Sequence, residues 1–145
     1  VSNIITVKNA DEEMLAIGDS TLNLENTAVV HQEFKGIKAP VNSDSSASIK
    51  LINYGLNKLV YQSTSNTNCP AIFSETYYPE GWNCYIDNKI VTSFRANYVL
   101  RGVMVPAGKH KIEWKFEPKS METGSVLSGM GSALLILSCL IVFFY

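Results

Sequence analysis

Arg95, Asn97 and Arg101 follow a cluster of rings at Tyr77, Tyr78, Trp82 and Tyr85, with Tyr98 among them. A guanidinium meets phosphate oxygens with a planar fork of donors, so two arginines close together suit the diphosphate of a lipid-linked sugar. Odd parity places Arg95, Asn97 and Arg101 on one face if a single strand runs through them unbroken. The rings suit the other half of such a ligand, because the apolar face of a pyranose lies on an aromatic ring while its hydroxyls bond outward. Trp82, between Gly81 and Asn83 at the end of a turn, is the leading platform. The candidate sugar or phosphate contacts are therefore Tyr78, Trp82, Arg95, Asn97 and Arg101. Each also has a structural reading: the arginines can pair with Glu75, Glu80 or Asp87 or dock on a membrane core, and large rings plug β-sandwiches. Trp114 is assigned to the core, and Trp82 stays open between the two roles.

No catalytic device is legible. The serines lack a nucleophile elbow, His31 and His110 have no nucleophile patterned around them, and no glycine-rich phosphate loop precedes a helix. His31 with Glu25 and Glu33 is read as an exposed strand face, because a metal needs convergent ligands and a lone His among scattered carboxylates does not supply them. Neither a metal nor a cofactor is expected. Twelve basic residues against thirteen acidic ones give no bulk charge for nucleic acid. Cys69 and Cys84 are expected to stay unpaired, since a hairpin turned at Pro79 to Gly81 would leave them out of register.

The elements that must position these residues are mostly strands. "SNIITVK" reads as a strand, and "NADEEMLAIG" as a short helix capped by Asn9 or Asp11, acidic in its first turn and stopped by Gly18. That helix is expected as a lid on a sheet edge. "ENTAVVHQEF" reads as a further strand, and the Ser-, Pro- and Asp-rich residues 35–48 as a loop. Then "SIKLINYG", "NKLVYQSTS", "PAIFSETYY", "WNCYID", "KIVTSF", "NYVLRGVMV" and "HKIEWKF" follow in strand lengths with turns between them. Such a succession predicts a mainly β chain, an antiparallel β-sandwich with one short N-terminal helix. In the last strand His110, Ile112, Trp114 and Phe116 alternate with Lys111, Glu113, Lys115 and Glu117, as a half-buried strand should. Asp87-Asn88 reads as a two-residue hairpin loop, and Gly108 as a turn residue free to take positive φ.

Every charge lies at or before Glu122, so residues 123–145 are wholly uncharged. As an α-helix, residues 126–145 would run about 30 Å, the thickness of a bilayer's hydrocarbon. We read 1–119 as a β-sandwich domain and 120–145 as a C-terminal transmembrane helix. The terminal Phe143, Phe144 and Tyr145 suit an interfacial belt, Gly124, Ser128, Gly129, Gly131 and Ser132 would let a second helix approach, and Cys139 is a packing residue within the membrane. The chain opens on Val1 with neither Met nor a basic signal region, and it is expected to be part of a longer protein.

"NADEEMLAIGD" followed by "ENTAVV", then "SETYYPEGWNCYIDNK", "FRANYVLRGVMVPAGKHKIEWKFEPKSMETG" and a terminal apolar helix resemble the C-terminal end of bacterial YfhO-like membrane proteins, over nearly the whole chain. The resemblance implies a polytopic protein of the bacterial cytoplasmic membrane, similar to C-type glycosyltransferases that use lipid-linked sugars on cell-surface polymers such as lipoteichoic acid. On that reading the chain is the non-catalytic extracytoplasmic domain and final helix, its partner is the upstream membrane core, and the catalytic acid lies elsewhere. Cys84 stands where the resemblance implies a small residue such as Ala. The alternative, from a different class, is a membrane-tethered β-sandwich that binds polysaccharide or a partner protein without enzymatic work.

Overall fold

The computed structural model describes residues 1–34, 36–40 and 44–144. In chain order the elements are β1 (Asn3–Val7), α1 (Ala10–Gly18), β2 (Thr27–His31), β3 (Ser48–Tyr54), β4 (Lys58–Ser65), β5 (Cys69–Thr76), β6 (Trp82–Ile86), β7 (Lys89–Val91), β8 (Ser93–Ala96), β9 (Leu100–Val105), β10 (Gly108–Phe116) and α2 (Lys119–Phe144). They form two five-stranded sheets, ordered β1-β2-β8-β9-β5 and β3-β4-β10-β6-β7. The expected loop at 35–48 falls between β2 and β3, with Ser48 already in β3; its positions 35 and 41–43 lie outside the described residues, as does Tyr145 of the expected belt.

The core is made where alternation turns large side chains inward from both sheets. Phe73 and Val103 of the first sheet meet Leu59, Cys84, Ile112 and Trp114 of the second. Phe73 packs edge-on against Trp114, with ring centroids 5.5 Å apart, and against Tyr61 at 4.8 Å. A separate cluster of Ala28, Val30, Phe94 and Ala96 is packed by Ile4, Phe34 and Met104. Glu113, expected on the outer face of β10, is nevertheless buried. Lys58 at 2.7 Å and Lys111 at 3.0 Å close over its carboxylate and hold its pKa below the usual value by hydrogen bonding.

Four departures from the sequence reading have physical causes. First, β1 and β2 pair in parallel, because α1 lies between them and supplies the crossover that a parallel pair needs. Asn9 caps α1 by accepting from the Glu12 N–H at 2.8 Å, and Glu12 returns a carboxylate to the Lys8 N–H at 2.9 Å. Second, "KIVTSF" is two strands: β7 pairs with β6 in one sheet and β8 with β9 in the other, so the chain changes sheets at Thr92. Third, Asn97 and Tyr98 take φ of 48° and 69° and turn the chain between β8 and β9, so no unbroken strand joins Arg95 to Arg101. Fourth, the Pro79–Gly81 turn does not close a hairpin, because β5 and β6 belong to different sheets. Cys69 and Cys84 are free, separated by sheet and not merely by register.

The two turns expected from composition are present. Asp87 and Asn88 both have positive φ, at 49° and 67°, and Gly108 has φ of 121°. The apolar C-terminal helix is present too: Lys119–Ile141 forms a candidate membrane span of 23 residues with mean hydropathy 1.9. It begins just beyond Pro118, at one end of the sandwich. That end, called near, also carries the β3–β4 and β5–β6 turns, because β10 runs into it antiparallel to β4 and β6, and the β8–β9 turn, which the Tyr77 N–H joins through the Val99 carbonyl.

Candidate functional site

Trp82 opens β6 at the near end, where the β5–β6 turn is closed by bonds from the Gly81 and Trp82 N–H groups to the Tyr78 carbonyl at 3.2 and 2.9 Å. Gly81 is required there by space. A Cβ on it would stand 2.5 Å from a Phe116 ring carbon and 2.6 Å from the Tyr78 ring. The Trp82 ring lies 5.3 Å from Phe116 on one side, and the Arg101 guanidinium lies 4.5 Å from its centroid. Trp82 thus packs on the core without being sealed in it.

Beside Trp82 a cleft of about 340 Å³ is bounded by Tyr77, Asn83, Cys84, Thr92 and Ser93, among others. Its volume falls within the range of small-ligand sites. Tyr77 is fixed by the Phe34 ring, edge-on at 5.8 Å. The Asn83 amide and the Tyr85 hydroxyl both donate to the Glu117 carboxylate, at 3.0 and 2.8 Å. Those two bonds lower the Glu117 pKa, and the bond to Glu117 raises that of Tyr85. Cys84, which borders the cleft, is almost fully buried, and desolvation pushes its thiol up to about 12. A neutral Cys84 offers no nucleophile at ordinary pH. Chemically, the cleft sets an indole edge beside the hydroxyls of Tyr77, Thr92 and Ser93.

Arg95 and Arg101 oppose each other across β8 and β9, so their side chains leave the same face of the sheet. Their surroundings differ. Arg101 is 1% exposed, with its guanidinium between the Trp82 and Trp114 rings at 4.5 and 4.6 Å. Glu75 approaches one terminal nitrogen at 3.5 Å, while Nε and Nη1 have no hydrogen-bond partner among the described residues. Desolvation lowers the Arg101 pKa, opposed by Glu75. Arg95 instead reaches outward: Nη2 bonds Glu13 at 3.2 Å and lies 3.9 Å from Glu33.

Asn97 is a fastener. Its side-chain oxygen accepts from the Val29 N–H at 2.8 Å while its own N–H donates to the Val29 carbonyl at 2.8 Å. Glu13, read in the sequence only as a first-turn acid, is fully buried and accepts from the Tyr98 N–H at 2.7 Å as well as from Arg95. Tyr78 is exposed on the β5–β6 turn. The structure therefore brings Tyr78, Trp82 and Arg101 to one corner and ties Arg95, Asn97 and Glu13 into another. Sequence reasoning missed Glu13, Asn83, Thr92 and Ser93, which carry no distinguishing spacing.

His31 has both ring nitrogens engaged: Nε2 lies 2.8 Å from the Lys8 carbonyl and Nδ1 3.2 Å from the Glu33 N–H. Among the described residues no group of three or more His, Cys, Asp and Glu is placed to hold a metal ion.

In comparison with known proteins, a family model described as Bacterial membrane protein YfhO matches residues 3–128. No curated protein and no solved structure matches the chain.

Proposed function

Because this chain belongs to the YfhO family of bacterial membrane proteins, we propose that it is an extracytoplasmic domain and the membrane helix that follows it in a polytopic glycosyltransferase. In this reading the upstream membrane core performs the transfer from a lipid-linked sugar to a cell-surface polymer. The β domain is not catalytic and shapes the entrance through which the donor arrives. The observation that carries the reading is the position of the Trp82 cleft, at the end of the sandwich from which the apolar helix departs. A sugar carried on a lipid diphosphate stands just above the bilayer, where such a cleft would meet it.

Trp82 would bear the sugar ring, with Tyr78 on the adjoining turn and Thr92 and Ser93 on its hydroxyls. Arg101 acts through Trp82, holding the indole from behind, while Arg95, with its side chain 29% exposed, is the guanidinium a phosphate can reach. Asn97 sets the turn that presents Tyr98 beside Arg95.

The test is calorimetric titration of the chain in nanodiscs with a short-chain polyprenyl-diphosphate sugar, alongside Trp82→Phe and Thr92→Ala. Saturable binding weakened about tenfold by either substitution, as loss of one stacking or polar contact would give, supports the donor-entrance role. Equal binding of the free oligosaccharide would favour the tethered polysaccharide-binding module. Absence of binding to both at millimolar ligand would sink the contact assignments.

A further inference from the structure

We propose that the near end of the sandwich rests in the headgroup layer of the bilayer, with lipid as the partner of its turn tips. Three turns and the start of α2 are tied together there by backbone bonds. The Phe116 N–H donates to the Asn57 carbonyl at 2.9 Å, Glu117 to Gly81 at 2.7 Å, and Tyr77 to Val99 at 2.7 Å. The side chains this end leaves to solvent include a run of apolar and aromatic ones, beside the polar Asn57 and Glu80: Leu56 is 95% exposed, Tyr54 at the end of β3 66%, Val99 49%, Tyr78 47% and Tyr98 40%. Leu56 and Val99 stand in turns that polar residues usually occupy, and Tyr54 closes β3 with its ring exposed.

The turns at the opposite end are richer in polar residues. They carry Asn66 to Asn68, Asp87 with Asn88, and Pro106 with Ala107. The contrast coincides with the position of α2, whose candidate span starts at Lys119. From Phe116 to Lys119 the chain can reach only about 10 Å when extended. A headgroup layer is about 5–8 Å thick on each side of the hydrocarbon, so the turn tips cannot stand far from it while α2 crosses. Tyrosine prefers this layer because its ring is apolar and its hydroxyl wet, and Leu56 at the tip can enter the upper acyl region. Lys119 opens α2 at the depth where an ammonium meets lipid phosphate. The inference rests on α2 crossing the membrane and on strand topology, not on the sugar cleft, so the two can fail separately.

The experiment places a nitroxide on the full chain reconstituted in phosphatidylcholine–phosphatidylglycerol vesicles. Leu56→Cys and Tyr98→Cys are compared with Ala107→Cys at the far end, all in a Cys69→Ser, Cys139→Ala background, with the buried Cys84 left in place. Collision with oxygen and with a water-soluble nickel chelate is then measured at each site. The expected result is a several-fold lower nickel accessibility at 56 and 98 than at 107, with oxygen accessibility higher. Equal nickel accessibility at all three would overturn the proposal by putting the near end in water. Shielding of 56 and 98 from both reagents would overturn it too, by showing that protein covers them, whether an upstream helix or a second copy.

Discussion

The two ends of the sandwich are held by different means. At the near end most of the fastening is internal: Arg101 lies between two indoles, buried Glu13 clamps the Tyr98 turn, and Gly81 lets Tyr78 and Phe116 close on each other, with exposed Glu117 adding bonds from Asn83 and Tyr85. At the far end exposed carboxylates do the work. Asp44 accepts from the Asn66 N–H at 2.6 Å and the Ser46 hydroxyl at 2.6 Å, and Asp87 accepts from the Lys111 N–H at 3.0 Å while pairing with His110 at 2.6 Å. An end fastened from within keeps its outer surface free for other partners. An end that uses its surface polar groups to hold its own turns does not.

This contrast predicts that near-end substitutions cost more than far-end ones and depend less on pH. The largest loss should follow Arg101→Ala, which empties the space between Trp82 and Trp114 and should cost about 3 kcal/mol by denaturant unfolding. Arg101→Met should cost under about 1.5 kcal/mol, because a buried guanidinium with unpaired nitrogens is replaceable by an apolar side chain of similar length. Equal losses would mean that the charge, not the filling, holds the near end.

Next comes Glu13→Ala, which strands the Tyr98 N–H and should cost about 2–3 kcal/mol, whereas Glu13→Gln keeps an acceptor and should lose about 1 kcal/mol. Gly81→Ala should cost about 1–3 kcal/mol through overpacking against Phe116 and Tyr78, with thermal unfolding as the check. If it proves neutral, the turn has room that the ring contacts deny.

The far end should give the smallest effects and the clearest pH dependence. Hydrogen bonds from Ser46 and the Asn66 backbone lower Asp44 from 3.8 to about 2. A depressed carboxylate stabilises above its unfolded value, and that contribution is lost as pH falls through the folded one. Amide exchange at Asn66 should therefore accelerate as pH drops from about 4 towards 2, relative to an Asp44→Asn variant that lacks this step. Bonding to Asp87 raises the His110 pKa above 6.5, so its contribution is complete below that value and fades as pH rises through the folded one. Protection of the Lys111 amide should weaken on that alkaline side, and a flat profile would break the assignment of the far end to titrating side chains.

Much of this architecture was legible in the sequence because period-two alternation is a local signal. Ile112 and Trp114 are buried as their positions in β10 demand, and Asp87-Asn88 and Gly108 turn where their backbone freedom allows. What stayed hidden was which sheet a strand joins. Nothing local distinguishes "KIV" from "TSF", yet they lie in different sheets, and the Pro79–Gly81 turn looks the same whether it closes a hairpin or crosses the sandwich. The parallel β1–β2 pair was foreshadowed by a helix between two strands, a pattern that favours parallel pairing. The candidate site was legible in its rings and not in its charges. Trp82 borders the cleft, but the two arginines find different partners because burial is decided by the sheet opposite.

The central claim is that the near-end cleft at Trp82 meets a lipid-linked sugar. The two tryptophans supply their own control, since Trp82 borders the cleft and Trp114 lies 1% exposed in the core. Indole ¹H–¹⁵N spectra of the chain in nanodiscs should be followed as a short-chain polyprenyl-diphosphate sugar is added. The account predicts a saturable shift of the Trp82 signal with Trp114 moving far less. A Trp82 signal that stays fixed at saturating donor would contradict it.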